Sequence, residues 1–117
     1  MRLDLRTVLK DYRGKDMKTI DEDKNEEPLT IKLAINSIIN GIEVTPDGRA
    51  KPLTAEEKGK IYQLSTKIWG DNEIKLTVDD ISFIKKRMDS VSNITPLIYG
   101  RLLDVFEGEK VDKKEKV

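Results

Sequence analysis

Residues 31–42 carry a single charge, Lys32, in a chain of 117 residues of which 38% are charged. Within that stretch Ile31, Ala34, Ile35, Ile38, Ile39 and Ile42 recur at steps of three and four, and Leu33 widens the stripe. That is the period of a helix, not of a strand. A helix this apolar is stable only when other elements surround it. The pattern therefore predicts a central helix that starts at Pro28 or Thr30, the latter a plausible N-cap, and stops at Gly41. The rest of the chain must supply its walls.

Three further helices announce themselves by their starts. Thr54-Ala55-Glu56-Glu57 is a capping box, in which the threonine serves the third amide and the glutamate reaches back. It opens a helix over 54–69, with Ala55, Ile61, Tyr62, Leu64, Ile68 and Trp69 as its apolar positions and Gly70 behind it. Thr77-Val78-Asp79-Asp80 repeats the device with a shorter acid and opens a helix over 77–91, facing inward through Ile81, Ile84, Met88 and Val91. Thr95-Pro96 is an N-cap followed by proline at the first helical position. The helix over 95–107 carries Ile98, Tyr99, Leu102, Leu103, Val105 and Phe106 and stops at Gly108. Gly59 and Gly100 fall inside helices, where glycine costs about 1 kcal/mol relative to alanine. They read as points of close approach between helices.

The first 20 residues read as a β-hairpin. Leu3, Leu5, Thr7 and Leu9 alternate with Arg2, Asp4, Arg6 and Val8, Asp11-Tyr12-Arg13-Gly14-Lys15 supplies the turn, and Met17 and Ile20 return on the apolar side. A helix over 3–12 is the competing pattern, because Leu5, Val8, Leu9 and Tyr12 also fit its period. Residues 21–27 form an acidic run with nothing to bury, which predicts a solvated, mobile loop. Thr45-Pro46-Asp47-Gly48 is a turn, and residues 73–76 suit one short strand. Together these features predict a mainly α fold: about four helices in a compact orthogonal or bundle arrangement, with an N-terminal β-hairpin. One globular domain spans 1–108, and a charged flexible tail follows over 109–117.

Composition excludes more than it assigns. The chain has no cysteine and no histidine, which removes disulfides, thiolate nucleophiles, imidazole bases and the usual zinc sites. The acids at 21, 22, 23, 26 and 27 lack the spacing and glycine turn of a calcium loop. Asp79 and Asp80 sit where acids stabilise a helix start, so capping accounts for them without catalysis. No glycine pattern fits a phosphate loop. The expectation is a protein with no catalytic residues, no metal and no cofactor. The opening residues lack the apolar core of a signal peptide, and no apolar run is long enough for a membrane span. A cytoplasmic location without membrane contact follows as an expectation.

With 22 basic and 22 acidic residues the chain carries no net field to draw in nucleic acid. Local patches remain as candidates. Lys85, Lys86 and Arg87 are consecutive, and on a helix they spread around the surface instead of forming one patch. Arg2, Arg6, Lys10, Arg13, Lys15 and Lys18 give the hairpin a surplus of positive charge. Phe83 lies beside the inward stripe of its helix and marks a partner site if exposed, or packs against the hairpin if not. The candidate partner-binding residues are thus Phe83, Lys85, Lys86, Arg87, Arg2, Arg6 and Arg13. A protein partner or a second copy of the chain is favoured, with nucleic acid as the alternative.

Three stretches resemble small helical accessory proteins of tailed phages and prophages. They are Leu3-Asp4-Leu5-Arg6 with the turn 11–15, Leu53-Thr54-Ala55-Glu56-Glu57-Lys58 with Ile61-Tyr62, and Thr95-Pro96-Leu97-Ile98-Tyr99-Gly100. The resemblance implies an accessory role in virion or tail assembly, in the host cytoplasm, and carries over no functional residue.

Overall fold

The computed structural model describes residues 1–92 and 94–115, with side chains through residue 107. Four helices are joined by two small antiparallel sheets. The elements are β1 (Arg2–Asp4), β2 (Lys18–Ile20), β3 (Glu26–Pro28), α1 (Ile31–Ile39), α2 (Ala55–Gly70), β4 (Glu73–Lys75), α3 (Val78–Ser90) and α4 (Pro96–Glu115). The fold is therefore α+β.

Helix α1 occupies the centre, as its missing charges required. Ile31, Ala34, Ile35, Ile38 and Ile39 are all buried, and α2 and α3 both pack on it. It is shorter than its apolar stripe. Asn40 caps it, and Ile42, beyond the last turn, lies exposed. Pro28 belongs to β3 and not to the helix.

The four threonines act as N-caps. Thr30 accepts from the Leu33 amide, and Thr95 accepts from the Ile98 amide at 3.4 Å. Thr54 with Glu57 and Thr77 with Asp80 form complete capping boxes. The Thr54 amide donating to Glu57 holds that carboxyl below its ordinary pKa. The backbone of α4 passes the expected stop at Gly108, and the end of the stretch 109–117 lies outside the described residues.

The N-terminal region departs from a simple hairpin. β1 pairs with β4, with Leu3 opposite Ile74, so the first strand joins the connection between α2 and α3. The turn at 11–15 forms as expected, with Lys10 bridging Asp16 across it. The returning chain then makes its own hairpin: β2 pairs with β3, Thr19 opposite Glu27. The acidic run is thus an ordered turn and a strand, not a loose loop. Its order comes from backbone bonds, since Asp21 Oδ1 accepts from the amides of Asp23 and Asn25 at 2.9 Å each.

One five-residue loop is used three times. Residues 11–15, 21–25 and 45–49 each close with the first amide donating to the fifth carbonyl, at 2.8, 2.9 and 2.8 Å. The first side chain, Asp11, Asp21 or Thr45, accepts from backbone amides inside its loop. The fourth residue takes a positive φ: Gly14 at 79°, Lys24 at 65° and Gly48 at 85°. This is the three-residue hairpin connection that ends in a left-handed residue.

At the base of these hairpins three segments of the chain close a ring. The Leu9 amide donates to Leu29, Leu29 to Met17, and Met17 to Leu9, at 2.8–2.9 Å. Arg101 on α4 donates to the carbonyls of Lys10 and Asp11 at 2.8 and 2.7 Å, which fastens α4 across the first turn.

Candidate functional site

Two buried charges dictate which side chains stay available. Arg87 is 1% exposed. Its Nη1 donates to Glu43 Oε1 at 2.6 Å and its Nη2 to the Gly41 carbonyl, while its Nε has no partner. It ties α3 to the chain leaving α1 and has no surface to offer a partner, which corrects its selection as a contact residue. Asp80 is buried between α2 and α3, where it accepts from Lys60 at 2.6 Å, from Lys67 at 3.4 Å and from the Thr77 amide at 3.0 Å. Burial alone would raise its pKa. Lys60 and the Thr77 cap overcome it and hold the carboxyl at about 2.

The other candidate residues scatter. Lys85 turns toward α4 and donates to Glu107 at 2.9 Å. Lys86 is exposed and, with the half-buried Phe83, lines a cleft of about 600 Å³ beside the start of α2. Phe83 also packs against the core cluster. Two cations that line the cleft are already engaged, Lys51 by Glu43 and Lys60 by Asp80. In the N-terminal region Arg6 is held by Asp4, Lys10 by Asp16 and Lys18 by Glu26. The Arg6 guanidinium in turn keeps the Asp4 carboxyl below its usual range. Arg2 and Arg13 are exposed on β1 and on the first turn. Among the described residues no group of three or more acids, cysteines or histidines is placed to hold a metal ion. No described helix is long and apolar enough to cross a membrane.

A different surface stands out, on α2. Its core positions are Ile61, Leu64 and Ile68. Tyr62 and Trp69 each follow a core position by one residue, about 100° around the helix. They are therefore 75% and 54% exposed and share one outer stripe, so two of the apolar positions expected of this helix lie outside its core face. From Gly59 to Gly70 the exposed residues are Gly59, Tyr62, Gln63, Thr66, Trp69 and Gly70, with no charge among them. The lysines of this segment, Lys60 and Lys67, both turn to Asp80.

The surface continues onto α1, where Lys32 brings one charge to it. Trp69 Nε1 donates to Asn36 Oδ1 at 3.0 Å, and Asn40 Nδ2 donates to Ser65 Oγ at 3.4 Å. Lys32 sits 5.5 Å above the Trp69 ring. These contacts run antiparallel along the two helices. Asn36 and Asn40 also share a shallow hollow of about 430 Å³ with Gly41 and the exposed Ile42. Four of the seven large exposed hydrophobic residues among those described, Ile42, Val44, Tyr62 and Trp69, thus lie on α2 or on the exit of α1. A Cβ built on Gly59 or Gly100 meets nothing within 4 Å, so neither glycine serves a close helix approach inside the chain.

Charge depletion with exposed aromatics marks the centre of protein contact surfaces. The signal was present in the sequence as the seven-residue interval from Tyr62 to Trp69, offset by one from the stripe Ile61, Leu64, Ile68. No protein-family model, no curated protein and no solved structure matches this chain.

Proposed function

We propose that this protein is a non-catalytic binding module that works through protein contacts on the uncharged outer side of α2. One observation carries the reading: the exposed side of α2 from Gly59 to Gly70 holds Tyr62 and Trp69 and no charge, in a chain that is 38% charged. An uncharged helix face of a monomer gains nothing from exposing a tryptophan and a tyrosine; a face covered by another protein gains the burial of both. The setting we propose is virion or tail assembly in a host cytoplasm, which rests on the resemblance of the three stretches quoted above.

Photo-crosslinking in the source cells tests the reading. A benzophenone amino acid at Gln63 or Thr66 is expected to give a discrete protein adduct. The same probe at Arg13 or Glu22, on the exposed hairpin turns, is expected to give none. Adducts from the turns with none from α2 would contradict the assignment.

A further inference from the structure

We infer that Asn40 is a site of spontaneous covalent modification: in the folded protein it deamidates through attack by the Gly41 amide nitrogen, and the isoaspartate that results withdraws the Gly41 carbonyl from the buried Arg87.

The chemistry starts from one dipeptide. Asn40 is followed by glycine, while every other asparagine of the chain precedes a residue with a side chain. Without a Cβ, glycine leaves its amide nitrogen open to approach and its backbone free to turn. Ring closure joins the Gly41 nitrogen to Asn40 Cγ. The Gly41 N–H gives up its proton, the Cγ–Nδ2 bond breaks, and the side-chain nitrogen leaves as ammonia. Water then opens the succinimide at either of its carbonyls, which gives aspartate or isoaspartate at position 40. The net change is amide plus water to acid plus ammonia.

The fold slows this reaction and leaves it open. Asn40 is exposed and caps α1, beyond its last helical residue. The Gly41 amide is tied by a single backbone bond, to the Ile38 carbonyl at 3.1 Å. Asn40 has ψ near 5°, so the chain must turn about that bond to bring nitrogen and Cγ together. Helix ends open locally far more often than the whole protein unfolds. Asn36-Ser37 lies inside α1, where the helical ladder holds the backbone.

The products meet a sensitive neighbour. Either one sets a carboxylate at the C-terminal end of α1, against the dipole, and removes the Nδ2 that donates to Asn36 and Ser65. Isoaspartate also routes the chain through Cγ, which adds a backbone carbon just before Gly41. The chain beyond is pinned, with Glu43 bridged to Val91, so the added length is taken up at Gly41 and Ile42. The Gly41 carbonyl accepts from Arg87 Nη2. Arg87 is 1% exposed and its Nε already lacks a partner. Loss of that carbonyl leaves Glu43 as its acceptor, and a buried donor without a partner is costly.

Ageing the full-length protein in its folded state at neutral pH, followed by tryptic peptide mapping, tests this. The peptide 33–49 is expected to gain the mass of an amide-to-acid exchange, with fragment ions placing it at residue 40 and isoaspartate as the larger product. Asn40→Gln is expected to abolish the gain. The aged fraction resolved by ion exchange is expected to melt below Asn40→Asp, which has the same charge and an unlengthened backbone. In an Arg87→Met background that difference is expected to shrink. A folded protein that keeps the Asn40 amide while the urea-unfolded chain loses it would overturn the inference. So would an isoaspartyl form that melts with Asn40→Asp, or a difference that persists undiminished without Arg87.

Discussion

Asp80 closes the capping box of α3 and joins α2 to α3 through Lys60 and Lys67. The folded protein holds its pKa at about 2, against an ordinary 3.8. The native state therefore binds fewer protons than the unfolded chain across that window. The stabilisation is complete above about pH 4, amounts to about 2 kcal/mol, and disappears as the pH falls from about 4 toward about 2. Asp80→Asn is expected to lower stability at neutral pH by about that amount and to flatten the acid limb of a denaturant-midpoint-versus-pH profile. Arg87 presents the opposite balance. Its guanidinium is enclosed, and Glu43 is the carboxylate that compensates it. Glu43→Gln strands that charge and is expected to destabilise by about 3 kcal/mol in equilibrium unfolding. Burial of Arg87 was hidden in the sequence, because Lys85-Lys86-Arg87 reads as one basic run and nothing local tells which of the three points inward.

The elements show where local chemistry speaks and where it is silent. The threonine caps and the isoleucine stripe of α1 were legible, since both depend on neighbours within one or two turns. The partner of β1 was not: a three-residue strand has too little pattern to choose between β2 and β4, and the choice is made by the packing of α2 and α3. The second hairpin was masked by composition, because Lys24 occupies the left-handed position that glycine fills in the other two loops. Lys24→Gly is expected to stabilise the protein by up to about 1 kcal/mol in chemical denaturation, by relieving the left-handed strain of a residue with a Cβ. Gly59 lies inside α2 with open space around it. Gly59→Ala is expected to stabilise the protein by about 1 kcal/mol through helix propensity, measured as the denaturant midpoint. The contact face was legible only as a spacing, and separating it from the core required knowing which side of α2 rests on α1.

Across the whole molecule the charges organise the surface by pairing. Arg6, Lys10, Lys18, Lys51, Lys60, Lys67 and Lys85 all meet carboxylates within the chain. Four of the seven large exposed hydrophobic residues among those described lie on α2 and the exit of α1, and one of them, Trp69, is the only tryptophan of the chain. Its emission therefore reports on that face alone. Acrylamide quenching of that emission in dilute protein tests the central claim most directly. The account predicts a red-shifted, readily quenched indole. A blue-shifted emission maximum with little quencher access would contradict it.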